Sequence, residues 1–192
     1  MKLLMKPRYL FALACLMTIA GCVPQSQYNQ EVQQNQQLQY MNGTYQQLNQ
    51  SLQSEVNANQ VQIRQLQNRL EVTMVNDILF PEGGWELSRA GEQELNKIVP
   101  ALQTAAGKQI VIEGYTDDLP ILPPLLDRFP NNWSLSAARA ISVVTYLNAQ
   151  GIDPNQLSAV AFGKYHPIAP NDTPQGRSQN RRINIAIQDQ AP

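Results

Sequence analysis

Two side chains of opposite charge, Asp117 and Arg139, carry most of the chemistry this sequence offers. Asp117 closes the run Ile110-Val111-Ile112-Glu113-Gly114-Tyr115-Thr116-Asp117, and Arg139 ends Asn131-Asn132-Trp133-Ser134-Leu135-Ser136-Ala137-Ala138-Arg139. The first run reads as a strand that delivers an acid to the end of a sheet, and the second as a capped helix that brings a guanidinium back toward it. Acid and guanidinium then form the two jaws of a binding site. Residue types alone leave a second reading open, a salt bridge between the pair with no ligand. Catalysis has less to stand on. His166 is the sole histidine, it precedes Pro167, and neither a G-x-S-x-G run nor a zinc-type spacing occurs. No cysteine follows Cys22, so the chain is expected to work without catalysis, cofactor or metal.

The jaws need a scaffold, and the hydrophobic pattern predicts one. A strand is expected over residues 71–80 with a break near Asn76-Asp77, then a turn at Pro81-Glu82-Gly83-Gly84. Ser88 is an N-cap for a helix to about Thr104, with Leu95, Ile98, Val99 and Leu102 as its apolar stripe and Pro100 predicting a kink. Residues 109–115 form the next strand. Residues 119–130 hold four prolines (120, 123, 124 and 130), which exclude a regular helix or a central strand there. Either their leucines cover the core, or they add a wall to the site or a contact for a partner. Ser134 or Ser136 is expected to cap a helix to about Asn148, stopped by Gly151. Its core stripe would be Ala137, Ala140, Ile141, Val144 and Leu147, with Arg139 to one side. Strands over 157–162 and 182–188 follow, with a short helix between them that starts near Asn171-Asp172-Thr173-Pro174. This order predicts a two-layer α/β (α+β) sandwich, a mixed sheet with helices on one face.

The N-terminal part reads as a tether. Lys2, Lys6 and Arg8 precede an apolar run over residues 9–20, too short to span a bilayer comfortably, since that takes roughly 20 apolar residues. It has the form of a secretory signal, residues 1–21. Its end, Ile19-Ala20-Gly21-Cys22, resembles the bacterial lipobox, which implies a lipoprotein with diacylglycerol and palmitate on Cys22. The alternative is an ordinary signal that leaves Cys22 a free thiol. Val23, where an aspartate would favour inner-membrane retention in that family, implies the periplasmic side of a Gram-negative outer membrane. Residues 22–71 are rich in Gln and Asn. Leu38, Met41, Tyr45, Leu48 and Leu52, then Val56, Ile63, Leu66 and Leu70 with Asn59 between, follow a coiled-coil seam with a stutter at Leu52 to Val56. A helical stalk is therefore expected, self-associating into a homo-oligomer; a flexible polar tether is the other reading. Fully helical, it would reach on the order of 75 Å. With 14 basic and 15 acidic residues and a net charge of −1, nothing points to nucleic acid as a partner.

From about Val72 to Ile187, the domain assigned to residues 72–192, the sequence resembles the OmpA-like peptidoglycan-binding domain shared by outer-membrane anchors, Pal lipoproteins and the periplasmic part of MotB. The matching residues are Gly114-Tyr115-Thr116-Asp117, Asn132, Leu135-Ser136-Ala137-Ala138-Arg139-Ala140, Gly151, Gly163, Asn171-Asp172-Thr173, Gly176-Arg177 and Asn180-Arg181-Arg182. The resemblance implies that Asp117 and Arg139 clasp the diaminopimelate of a peptidoglycan stem peptide. The free end of that amino acid is a zwitterion, so a carboxylate takes its ammonium while a guanidinium forks onto its carboxylate. Thr116, Asn132 and the backbone N–H groups at the helix start would add hydrogen bonds, and Asn180 and Arg181 match as well. The implied function is a non-catalytic outer-membrane anchor, the alternative a wall-bound adaptor in a secretion, motility or signalling complex of the envelope. The long proline loop and the Pro81–Trp85 segment depart from the family pattern and could narrow or block the cleft.

Overall fold

The computed structural model describes residues 24–66, 68–105 and 107–189. The expected signal segment and Cys22, the expected lipidation site, lie outside the described residues. The chain divides into two units, Met1–Gln39 and Tyr40–Pro192. Helix α1 (Gln25–Ser51) begins in the first and ends in the second. In the first unit it is exposed except for the half-buried Val32 and Gln37, as befits a Gln-rich segment with few apolar side chains.

In the second unit α1 behaves differently. Met41 and Leu48 are buried, as is Leu52 just past its end, and all three belong to the same cluster as the isoleucines of the sheet. Here the expected intermolecular seam is corrected: these side chains are covered by their own chain. Burying a leucine is worth about 1.5–3 kcal/mol wherever the cover comes from, and a sheet in the same chain is always within reach.

The seam also stops early. The helical path breaks at Leu52, where the stutter falls, and a short helix α2 (Gln53–Asn57) follows. Asn59 then takes a left-handed conformation with φ 56°. Gln60 N donates to Glu55 O at 2.9 Å and Asn59 N to Val56 O at 3.1 Å. This pair of bonds is a Schellman termination, for which Asn is a good residue. Residues expected to continue the stalk instead form strand β1 (Val61–Leu66), paired antiparallel with β2 (Arg69–Val75) from Val61↔Met74 to Leu66↔Arg69.

The remaining elements are α3 (Asn76–Leu79), α4 (Arg89–Gln103), β3 (Lys108–Tyr115), α5 (Asn132–Ala149), β4 (Leu157–Gly163), α6 (Pro174–Asn180) and β5 (Arg182–Asp189). The five strands lie in the order β1-β2-β5-β3-β4, antiparallel except for the parallel pair β3 and β4. This is the expected mixed sheet with one strand more. Its apolar face is set by the register, which lines up Val72 and Ile112 on either side of Ile185, and Leu70 and Ile110 on either side of Ile187. Leu95, Ile98 and Leu102 of α4, Ala140, Val143 and Leu147 of α5, and the second-unit part of α1 complete the core. Ser88 caps α4 as expected, accepting from Gly91 N at 2.9 Å.

Alternate residues of the same strands carry a buried polar network. Arg69 reaches Glu71 and Glu113, each at 2.7 Å, and Tyr115 Oη donates to Glu113 at 2.9 Å. Burial first, then the neighbouring Glu113 carboxylate, raises the Tyr115 hydroxyl well above its ordinary range, so it stays a donor.

Candidate functional site

A cleft of about 1110 Å³ opens where β3 ends. Three elements deliver the charged groups to it: the residues after β3 bring Thr116 and Asp117, α5 brings Arg139, and the α6–β5 junction brings Arg181. The approach of α5 to β3 is very close. A Cβ on Gly114 would lie 2.2 Å from the Ser136 carbonyl oxygen, so only glycine fits at that point. The start of α5 is set by a capping box in which Asn131 Oδ1 accepts from Ser134 N at 3.0 Å and Asn131 N donates to Ser134 Oγ at 3.3 Å. The cap is therefore Asn131 rather than Ser134 or Ser136, and the helix begins three or five residues earlier than expected.

The packed face of α5 is a second correction. The buried face of α5 is Leu135, Ser136, Arg139, Ala140, Val143 and Leu147, whereas Ile141 is exposed. Arg139 thus sits on the inward face, only 6 % exposed, rather than to one side. Its Nε donates to Gly84 O at 2.8 Å, and its guanidinium lies 5.5 Å from the Phe80 ring centroid. Among the described residues it has no carboxylate partner, and its two terminal nitrogens make no hydrogen bond. Burial and then the neighbouring Arg181 push its pKa down to about 10, partly offset by Asp117 and Asp77. The group stays charged at neutral pH, in a place that favours an incoming anion.

Asp117 does not pair with Arg139. It is 7 % exposed, and its Oδ1 accepts from Leu119 N at 3.2 Å while Oδ2 accepts from Arg181 Nη1 at 2.9 Å. Arg181 also reaches Asp77 at 3.4 Å. Burial works against the Arg181 charge, but these two carboxylates outweigh it and hold its pKa above the ordinary value. The salt bridge that residue types left open thus exists, with a different arginine.

Other expected site residues divide. Thr116 is buried and its hydroxyl donates to the Asp117 carbonyl at 2.8 Å; Asn132 Nδ2 donates to Leu119 O at 3.0 Å. Both line the cleft and position its backbone. Asn180 is a correction: it is fully buried away from the cleft lining. Its Oδ1 accepts from Ile168 N and Ala169 N, and its Nδ2 donates to Ala169 O and Asn171 Oδ1, all at 2.7–3.0 Å. With every amide position satisfied it has no donor or acceptor left for a ligand.

The proline loop forms a wall. Residues 119–125 line one side of the cleft, and residues 80–86 contribute another part of the lining. Arg128 stacks 4.4 Å from the Trp85 ring centroid, and Phe129 packs edge-on to Trp85 at 5.1 Å. The loop is tied to the Pro81–Trp85 segment, and the cleft remains open between them. Sequence reasoning missed Asp77 and the Gly84 carbonyl as parts of the site; the break at Asn76-Asp77 was the one local signal for the first, and nothing local marks the second.

Fold and cleft together define a binding module, an α+β sandwich whose charged cleft keeps one buried guanidinium that has no counter-ion among the described residues. A family profile described as the OmpA family matches residues 79–181, and the chain belongs to that family. The peptidoglycan-binding protein ArfA of Mycobacterium tuberculosis is 33% identical over 122 residues, 64% of this chain and 35% of ArfA. Motility protein B of Bacillus subtilis is 30% identical over 129 residues, 67% of this chain and 48% of that one. Among solved structures, the cell wall anchor of the T6SS from Pseudomonas aeruginosa matches with a TM-score of 0.67 at 30% identity, covering 74% of this chain and 97% of the anchor. The chain thus matches about a third to a half of the length of these curated relatives.

Proposed function

We propose that this protein binds peptidoglycan without catalysis, clasping the zwitterionic end of diaminopimelate in the cleft. The observation that carries the proposal is Arg139, buried, charged and lacking a carboxylate partner among the described residues. A ligand carboxylate supplies the missing counter-ion in a forked geometry that lysine cannot reproduce. Asp117, fixed by Leu119 N and Arg181, is the acceptor for the ammonium, which shares or displaces Arg181. ArfA is named for peptidoglycan binding, which supports the same ligand for this chain. The test is binding of the purified protein to diaminopimelate-type and lysine-type peptidoglycan side by side. Retention on the first and at least tenfold weaker retention on the second is expected; equal retention refutes the zwitterion clasp.

In this reading residues 1–21 are a signal, Cys22 carries the acyl chains, and the protein is anchored to the periplasmic side of the outer membrane. Of the stretch 22–71 only the exposed part of α1 ahead of Tyr40 is left to serve as spacer, and a helix-mediated homo-oligomer, if formed, uses that part. Cys22→Ser should give an unlipidated precursor, and mass spectrometry of the wild-type mature chain should find the added acyl mass; its absence refutes the lipoprotein assignment. A second reading, a wall-bound adaptor in a secretion or motility complex, draws on the likeness to Motility protein B and to the T6SS cell wall anchor. Pulldown from membranes with and without residues 24–39 separates a plain anchor from an adaptor.

A further inference from the structure

On the far side of Pro120 and Ile121 from the Arg139 cleft lies a second hollow, of about 410 Å³. The two share Pro120, Ile121 and Asn132, so one ligand can reach from one into the other across the proline loop. The second hollow carries Trp133 and Tyr165, 54 % and 60 % exposed, with ring centroids 5.5 Å apart and nearly perpendicular. Aromatic side chains that size are normally covered, and two left bare together beside a cleft point to a ligand that covers them.

The platform is built, not incidental. A Cβ on Gly163, whose φ is 55°, would fall 2.4 Å from Trp133 Cδ1, so the indole rests directly on that backbone. The same turn is locked from below, since Ser136 Oγ donates to Trp133 O and accepts from Gly163 N, both at 3.0 Å. Half-exposed yet held by the start of α5 and the end of β4, the indole presents a fixed apolar plane. Around it the rim is polar, with Asn131 and Lys164, and among the described residues no carboxylate lines the hollow. A flat apolar plane with hydrogen-bonding groups at its edge suits a pyranose. The C–H face of the sugar stacks on the ring while its hydroxyl and acetamido groups meet the rim.

We propose that Trp133 and Tyr165 form a sugar subsite for the N-acetylated amino sugar to which the stem peptide is attached. The proposal rests on the reading of the Arg139 cleft as a stem-peptide site, and its test separates the two. Calorimetry of the full chain in detergent would use three probes: a diaminopimelate-containing tetrapeptide, the same tetrapeptide on its N-acetylglucosamine–N-acetylmuramic acid disaccharide, and chitotriose alone. The wild type should bind the sugar-bearing peptide several-fold to about tenfold more tightly than the bare one, the range of a good aromatic contact. Trp133→Ala should remove that gain and leave bare-peptide affinity unchanged, whereas Arg139→Ala should weaken both peptides. Tyr165→Ala, at an exposed residue outside α5 and its capping box, serves as the variant that leaves the helix start intact, and it should lose part of the same gain. If bare peptide fails to bind the wild type, the cleft reading falls, and the subsite is then judged on chitotriose, which Trp133→Ala should bind more weakly. Equal affinity of wild type and both variants for the sugar-bearing peptide and chitotriose overturns the proposal and leaves this pair to a protein partner.

Discussion

At the scale of single residues the cleft holds two arginines with unlike surroundings. Among the described residues Arg181 has carboxylates at 2.9 and 3.4 Å, and Arg139 has none within ion-pair distance. An unpaired buried charge costs stability, and a ligand that neutralises it recovers that cost on binding. Arg139→Ala should therefore weaken peptidoglycan binding about tenfold to over a hundredfold, the loss of a charge-assisted hydrogen bond worth roughly 1.5–3 kcal/mol or more. Its melting temperature should stay near that of the wild type, and Arg139→Met should match or exceed it. Thermal melts beside a pulldown test this: binding and stability lost together would make Arg139 a structural residue. Asp117→Ala should differ, because it removes the better of the two partners of Arg181. About 1–3 kcal/mol of stability should go with the binding, read by denaturant titration. The two proposed jaws are thus separable by experiment, with Arg139→Ala expected to affect binding chiefly and Asp117→Ala expected to affect binding and stability together.

At the scale of elements the unexpected contributor is the segment from α1 to β1. Leu48 is fully buried in the core whereas Leu38 is 48 % exposed, although both lie on the same predicted seam. Leu48→Ala should cost about 2–5 kcal/mol, as cavity-forming changes do, and Leu38→Ala under about 0.5 kcal/mol. Equal small effects in chemical denaturation would restore the coiled-coil reading. Helix α2 is tied to α4 by Glu55, 8 % exposed, whose Oε1 takes Lys97 Nζ at 2.7 Å, and Lys97 also holds Glu94. Burial alone would raise the Glu55 carboxyl, but the hydrogen bonds from Lys97 and Ser54 outweigh it and hold it below its ordinary 4.5. The folded chain therefore binds this proton less readily than the unfolded chain does. The contribution is complete above pH 4.5 and is lost as pH falls through the lower folded value. Glu55→Gln should be roughly 1–3 kcal/mol less stable at neutral pH, with the gap to wild type closing on acidification below that point. A gap that stays constant with pH would mean the contact acts through packing.

At the scale of the whole molecule, the apolar side chains that would have held copies together are divided between solvent and core. Beyond Tyr40, Met41, Leu48, Leu52 and Leu70 are buried in the domain, Tyr45, Val56 and Ile63 are half-buried against it and Leu66 is exposed; ahead of it Tyr28 and Leu38 are the exposed large ones among the described residues. So few contacts do not make a stable two-stranded seam. A chain without residues 1–23 should sediment as a monomer at micromolar concentration and associate, if at all, only when much more concentrated. A stable dimer at micromolar concentration would show that another face pairs. The same division matters for reach, since the path after Ser51 folds back into the sheet instead of extending the tether.

What the sequence determined by itself is what neighbours along the chain decide. The alternation in Arg182-Ile183-Asn184-Ile185-Ala186-Ile187 makes a strand, Ser88 caps a helix, and proline at 174 starts one, because each depends on backbone and side chain within a few residues. The Thr-Asp and Leu-Ser-x-x-Arg-Ala runs carried the family and the two principal cleft residues. Only the tertiary structure decided which charges meet. Asp117 pairs with Arg181, 64 residues away, rather than with Arg139, because the α6–β5 junction packs beside the end of β3. It also decided that residues 61–66 form a fifth strand. Ile63 and Leu66 suit the expected seam whereas Val61 and Ile63 alternate as in a strand, and the choice fell to a left-handed Asn59 and an open sheet edge alongside β2. Periodicity says which side chains seek cover, and only the assembled chain says what covers them.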